Sequence, residues 1–268
     1  MAFSPDISRQ TIAVVRAVPD ALVRCELTWI GRRPIDVDAA RACHAQYRQV
    51  LRDGGLKVVC APADEAHPDC PFVEDLLIEV GGVRIVTHPG APSRRGERAG
   101  ILELLGGLGG PAPILMPDTV HLDGGDVLQV GGVVYVGDST RTDPEAIRWL
   151  AGVVDRPVVR IPLGEGRLHL KTAATAIDDR TLLAGGFADT LRRATGLEVL
   201  ETPDGEEDAA NVLRLPDGSV VVAGGFPGTE DLLRARGLQL RVLDIEPFAR
   251  AEAGLTCLSV LLTEPETT

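Results

Sequence analysis

Several short stretches of this sequence carry side chains that core packing does not ask for. EAGLTCLSVLL, Glu252 to Leu262, reads as a buried strand with a thiol a few residues from its start. Strand alternation places Leu258, Val260 and Leu262 on one face and Cys257 and Ser259 on the other, so Cys257 lies on the less apolar side. A lone cysteine in an apolar run is usually core filling. It becomes a nucleophile only if the rest of the chain supplies a base and an orienting acid. PDCPFVED offers Asp69, Glu74 and Asp75 immediately before an apolar strand. HLDGGDVL offers Asp123 and Asp126 around two glycines, a turn that lets the backbone come close enough to aim a carboxylate inward. Solvated strand-edge charge and turn capping explain the same acids if each cluster stands alone. GRLHLKT sets His169 between Leu168 and Leu170 in an apparent strand, its ring opposite the leucines; an imidazole there is either a core hydrogen-bonding group or a general acid and base. Arg94 and Arg95 in GAPSRRGE and Arg141 in GDSTRT each follow a second strand, and Arg94 and Arg141 could converge on one carboxylate if their loops are equivalent.

The elements that must position these groups form a repeat: apolar strand, tight turn, second strand, loop, helix. LLIEVGGVRIVTHPGAPSRRGE and DVLQVGGVVYVGDSTRTDPEA are the clearest copies, turning at Gly81-Gly82 and Gly131-Gly132, where glycine supplies positive φ at little cost. TAIDDRTLLAGG, turning at Asp178-Asp179, leads into a helical ADTLRRATG. NVLRLPDGSVVVAGG, turning at Pro216-Asp217-Gly218, leads into TEDLLRARG, whose Gly237 suits a helix C-terminus. The opening strand TIAVVRAV, the helix DVDAARACHAQYRQVLRDGG and the strand LKVVCA supply one further unit, completed by LTCLSVLLT from the other end. Such units bury no core alone, so about five of them arranged radially close a ring, with 1–268 as one domain. Gly106 to Pro113 reads as a loop.

Composition narrows the function class. With 44% hydrophobic and 25% charged residues, the 268-residue chain is that of a soluble globular protein. A net charge of -12 opposes binding to nucleic acid or anionic lipid and favours a cationic ligand. No apolar run approaches the roughly 20 residues that span a bilayer. Five cysteines without a CxxC pair, and no charged-then-apolar leader, fit a reducing cytoplasm. His44, His67, His88 and His121 show no zinc-ligand spacing with cysteine, so no metal is expected.

Taken together, the blocks AVVRAVPDAL, PADEAHPDCPFVED, HPGAPSRRGE, LDGGDVL, VGDSTRT, LHLKT, DAANVL and LTCLSVLL closely resemble the dimethylarginine dimethylaminohydrolases of the guanidine-modifying superfamily, in order and approximate spacing over nearly the whole chain. The resemblance implies an α/β fold, a pseudo-fivefold propeller of ββαβ units (pentein). It implies hydrolysis of Nω-methylated L-arginine to citrulline and an amine without a cofactor. Cys257 matches the family nucleophile, His169 the general acid and base, and Asp123 and Asp75 the carboxylates that hold the guanidinium; Cys257, His169 and Asp123 are the expected catalytic residues. Arg94 and Arg141 match the residues that grip the substrate α-carboxylate, Asp69 a contact to its α-amino end, Leu27 a position on the flap over the site and Glu74 a further site-lining acid. Glu252, five residues before the nucleophile where relatives commonly have Asp, bears on a contact near the substrate.

The alternatives are an arginine deiminase or an amidinotransferase, both usually longer than this chain, and a non-catalytic propeller such as a ribosome anti-association factor, against which the joint presence of Cys257, His169, Asp75 and Asp123 speaks. The expected partner is a small methylated arginine, with no nucleic acid and no membrane, and an exposed propeller edge could support a homodimer.

Overall fold

The computed structural model describes residues 10–164 and 166–264. The chain starts with strand β1 (Gln10–Arg16), helix α1 (Val37–Asp53) and strand β2 (Lys57–Ala61). A second unit contains β3 (Leu77–Val80), β4 (Val83–Val86), α2 (Arg98–Leu108) and β5 (Ile114–Leu115). A third contains β6 (Val127–Val130), β7 (Val133–Asp138), α3 (Pro144–Val153) and β8 (Val158–Pro162). The fourth begins with the short helix α4 (Leu170–Ala173) and runs through β9 (Ala174–Ala176), β10 (Thr181–Ala184), α5 (Ala188–Thr195) and β11 (Glu198–Glu201). The last contains β12 (Leu213–Arg214), β13 (Val220–Ala223), α6 (Pro227–Ala235) and β14 (Leu240–Leu243), and is followed by α7 (Glu246–Ala249) and β15 (Val260–Thr263).

Each of these units makes its own three-stranded sheet: an antiparallel hairpin, then a helical crossover that returns a parallel strand to the other side of the middle strand. The first sheet is completed from the far end of the chain, with β15 antiparallel to β1 and Val14 opposite Val260. That pairing closes a pseudo-fivefold α/β propeller and joins the two ends of the described chain. Gly81, Gly82, Gly131 and Gly132 all adopt positive φ, as two-residue hairpin turns require. The middle strands β10 and β13 are buried at every position, whereas α1 buries only the stripe Ala40, Cys43, His44, Tyr47 and Leu51.

Three local readings differ from the sequence. The strand containing LTCLSVLL starts only at Val260; Thr256 to Leu258 is a 3-10 turn, so the apolar alternation runs on past the point where pairing ends. His169 is not in a strand but stands in extended conformation immediately before α4. Helix α2 continues through Gly106 and Gly107 to Leu108, and the loop begins at Gly109, whose φ is 69°. Burial of Ile101 and Leu105 along α2 outweighs the low helix propensity of two glycines.

Candidate active site

The same position in each unit, the turn that leads into the first strand of its sheet, faces the centre of the ring. A 3-10 turn before β3 carries Glu74 and Asp75, and one before β6 carries Asp126, with Asp123 at its start. His169 and α4 precede β9, Asn211 precedes β12, and the turn with Cys257 precedes β15. Residues far apart in sequence thus meet because the fold repeats, and Cys257, His169, Asp75, Asp123, Asp69, Arg94, Arg141 and Glu252 line one pocket.

His169 lines that pocket between two carboxylates. Its Nε2 lies 3.0 Å from Asp123 Oδ2, and its Nδ1 lies 3.9 Å from Asp75 Oδ1. Burial disfavours the imidazolium, but the charges of Asp75, Asp126 and Asp123 and the hydrogen bond to Asp123 outweigh it and raise the pKa to about 9. Asp123 is fixed by Gly90 N–H, 2.8 Å from Oδ1. Gly125 makes room for the ring: a Cβ there would meet His169 Nδ1 at 2.6 Å. Asp126 divides from Asp123 in role, since its carboxylate is used by Leu170 N–H, Ser139 Oγ and Thr142 Oγ1 and so pins the start of α4.

The Cys257 thiol is pushed well above the ordinary cysteine range. Burial raises its pKa first, and the negative charges of Glu74 and Asp75 raise it further against a weaker pull from Lys171. The buried thiols of Cys25, Cys43 and Cys70 are also pushed up, so a high pKa does not single out Cys257; its neighbours do. Asp75, although buried, is held below the usual carboxylate range by His169 and Arg94. Burial lifts Asp69 to about 6 despite Arg94 and the Glu26 amide. A cationic guanidinium entering between Asp75 and Asp123 would therefore find one firm anion and a hydrogen-bonded carboxylate, in the pocket that Cys257 also lines.

The two arginines do not share a partner. Arg94 is buried and bonded to Asp75 Oδ2, to both oxygens of Glu97 at 2.9 Å, and to the carbonyls of Asp69 and Phe72. Arg141 instead reaches Glu26 Oε1 at 3.1 Å and Thr28 Oγ1 at 2.9 Å. Glu26 and Thr28 belong to a segment, 25–34, that covers the pocket and contains Leu27, which packs against the core instead of lining the cavity. Glu252 anchors this lid: its carboxylate accepts from the N–H groups of Thr28 and Ile30 at 2.6 Å and from Trp29 between them. The cavity beside this segment is about 40 Å³, enough for about three waters by the usual measure and less than an amino acid fills.

Glu74 faces away from this cavity. Its oxygens bond Lys171 Nζ at 2.6 Å and Thr256 Oγ1 at 2.8 Å, and with them it lines a separate cavity of about 510 Å³. Burial raises its pKa, Lys171 opposing. Among the described residues, Asp75, Asp123 and His169 are the one set of three potential metal-ligand side chains, with ligand atoms within 4.8 Å of one another. Each is already engaged, Asp75 by Arg94 and Gly125 N–H and Asp123 by Gly90 N–H and His169. Reading residues singly missed Glu26, Thr28, Lys171, Asn211 and Thr256; Lys171, Asn211 and Thr256 lie in the blocks LHLKT, DAANVL and LTCLSVLL, whose polar members were the available signal.

Comparison with known proteins places the chain in a family. The chain is 34% identical over 257 residues to the N(G),N(G)-dimethylarginine dimethylaminohydrolase of Streptomyces coelicolor, spanning 94% of this chain and 97% of that one. It belongs to the dimethylarginine dimethylaminohydrolase family. The family member of Pseudomonas aeruginosa is 30% identical over 224 residues, 81% of this chain and 86% of that one. A solved structure of a mutant of the Pseudomonas aeruginosa protein, complexed with citrulline, superposes with a TM-score of 0.89 at 26% identity, covering 94% of this chain and 99% of that one. The N-terminal domain of ArgZ, a cyanobacterial arginine dihydrolase, shares the fold with a TM-score of 0.84 at 17% identity. No family model matches the chain.

Proposed function

We propose that this protein hydrolyses Nω-methylated L-arginine to L-citrulline and methylamine or dimethylamine, as one catalytic propeller domain. The observation that carries the reading is the placement of His169 between Asp123 and Asp75 in the pocket that Cys257 also lines. Cation binding beside Asp75 favours loss of the Cys257 proton to solvent, and the thiolate adds to the guanidinium carbon. The C–N bond to the methylated nitrogen then breaks as His169 gives that nitrogen its proton, leaving a thiouronium on Cys257. Neutral His169 next takes a proton from water, the hydroxide adds to the same carbon, and collapse to the urea of citrulline expels the thiolate while the hydroxyl proton passes to solvent, replacing the one Cys257 released. Asp123 keeps the imidazole in orientation for both halves.

Arg141 and Asp69 line the same pocket and suit the carboxylate and ammonium of a free amino acid, which supports a small-molecule substrate over a peptide. Among the described residues no helix is long and apolar enough to cross a membrane, and the same reading makes the protein a cytoplasmic enzyme with a homodimer as its expected assembly. The test is release of citrulline and amine from arginine, monomethylarginine and asymmetric dimethylarginine by wild type and Cys257→Ser. Turnover of the methylated substrates that disappears in the variant supports the proposal. Preference for unmethylated arginine moves the assignment to a deiminase, and no turnover by folded wild type removes it.

A further inference from the structure

Four of the five equivalent turns supply Asp75, Asp123, His169 and Cys257; the remaining turn supplies Asn211. Asn211 is buried, and its carboxamide is fully used. Its Oδ1 accepts from Thr256 N–H at 3.0 Å, while Nδ2 donates to Lys171 O at 2.9 Å and to Thr256 Oγ1 at 3.0 Å. Thr256 adjoins the proposed nucleophile, and Lys171 lies two residues beyond His169. The ring continues through Glu74, which takes Thr256 Oγ1 and Lys171 Nζ and itself adjoins Asp75. Gly254 leaves the space this requires, since a Cβ there would lie 2.5 Å from Asn211 Cγ. Neither Asn211 nor Thr256 lines the substrate cavity.

We infer that Asn211 is a positioning residue that sets the Cys257 turn against the His169 segment. This deepens the hydrolase reading and rests on it. The carboxamide is the group the geometry needs: Asp would lose both donors and add a buried negative charge beside Glu74, and Gln would carry the amide beyond Thr256. Among the described residues no hydrogen bond links Asn211 or Thr256 to Arg141 or Asp69, so displacing the turn alters the attack geometry and leaves grip on the amino-acid end intact. A misplacement of about 1 Å costs on the order of 10²-fold in rate.

The experiment compares Asn211→Ser, Thr256→Val and the conservative Thr256→Ser with wild type, each checked for folding by thermal melting. Citrulline formation should show kcat reduced about 10²-fold in the first two, KM within about threefold of wild type, and Thr256→Ser near wild type. Folded Asn211→Ser and Thr256→Val with kcat within about threefold of wild type, or KM rising in step with the loss of kcat, would overturn the inference. Alkylation of Cys257 by iodoacetamide, followed by mass spectrometry, reads the same positioning without any substrate. Its rate should differ from wild type by about fivefold or more in Asn211→Ser and match wild type in Thr256→Ser; equal rates in all three proteins overturn the inference. Failure of wild type to turn over methylarginine counts against the proposed reaction, and the alkylation rates still decide the role of Asn211.

Discussion

Glu26 of the lid occupies both groups expected to hold the ends of an amino acid: its carboxylate accepts from Arg141 at 3.1 Å, and its backbone N–H donates to Asp69 at 3.1 and 3.2 Å. One residue thus presents an anion to the arginine and a donor to the acid, as a bound α-carboxylate and α-ammonium would. Substrate entry must break these contacts, and the cavity beside the lid is smaller than an amino acid fills. A partly exposed ion pair contributes about 0.2–1 kcal/mol, so Glu26→Gln should lower KM for the methylated substrate by up to about fivefold with kcat unchanged. Steady-state kinetics would decide it; a higher KM would mean that Glu26 holds the lid shut over substrate instead of competing with it.

Glu252 is the one non-glycine residue at positive φ among the described residues, at 56°. Holding an L-residue there costs about 1–2 kcal/mol, and three consecutive lid amides on its carboxylate offset that cost. Hydrogen bonds to a charged acceptor contribute about 1.5–3 kcal/mol, so replacing Glu252 by Gln should raise the open population of the lid at least about tenfold. Trypsin cleavage after Arg32 should accelerate accordingly while the melting temperature moves by no more than about 2 °C. Unchanged cleavage would show that Arg32, bonded to the carbonyls of Val23 and Cys25, holds the lid without Glu252.

The repeat was legible because every hairpin is punctuated locally, by Gly81-Gly82, Gly131-Gly132, Asp178-Asp179 or Asp217-Gly218, and because closure needs only an apolar strand at each end. The conformations around His169 and Cys257 were not, since partners distant in sequence impose them. Asp126 pins Leu170 from 44 residues away and starts α4 where the local pattern suggests a strand. Asn211 and Tyr47 hold Thr256 N–H and Leu255 O and stop the last strand short of Cys257. Arg94 and Arg141 occupy equivalent loops, but the sequence does not reveal that Glu97, a turn away, ties Arg94 into the protein's interior.

The raised pKa of His169 makes stability depend on pH in a definite direction. Below about 6.5 the imidazole is protonated in folded and unfolded chains alike, and the stabilisation by Asp75, Asp123 and Asp126 is complete. Between 6.5 and about 9 only the folded protein keeps the proton, so the contribution falls as pH rises and is gone above about 9. For a buried side chain the shift corresponds to roughly 3 kcal/mol at 1.36 kcal/mol per unit. Denaturant unfolding at pH 6.5 and pH 8, below the range in which the unfolded chain's thiols ionise, should show about 2 kcal/mol of that decline in wild type and a much flatter response in His169→Asn. A wild-type profile that rises with pH over this range would contradict the charge arrangement around the ring.

Arg94 and Arg141 should fail differently when each is replaced by Lys. Arg94 is 6% exposed and spends its guanidinium on Asp75, Glu97 and two backbone carbonyls, which the three donors of a compact ammonium cannot all reach. Breaking a buried pair costs about 3–5 kcal/mol; with the positive charge retained, Arg94→Lys should lose about 2–3 kcal/mol of stability and much of its soluble yield. Among the described residues the Arg141 guanidinium bonds only Glu26 and Thr28 of the lid, so Arg141→Lys should melt within about 2 °C of wild type and show its defect as a KM raised about tenfold or more. If instead Arg94→Lys melts normally and loses only substrate affinity, Arg94 grips the α-carboxylate directly and its bonds to Glu97 are secondary.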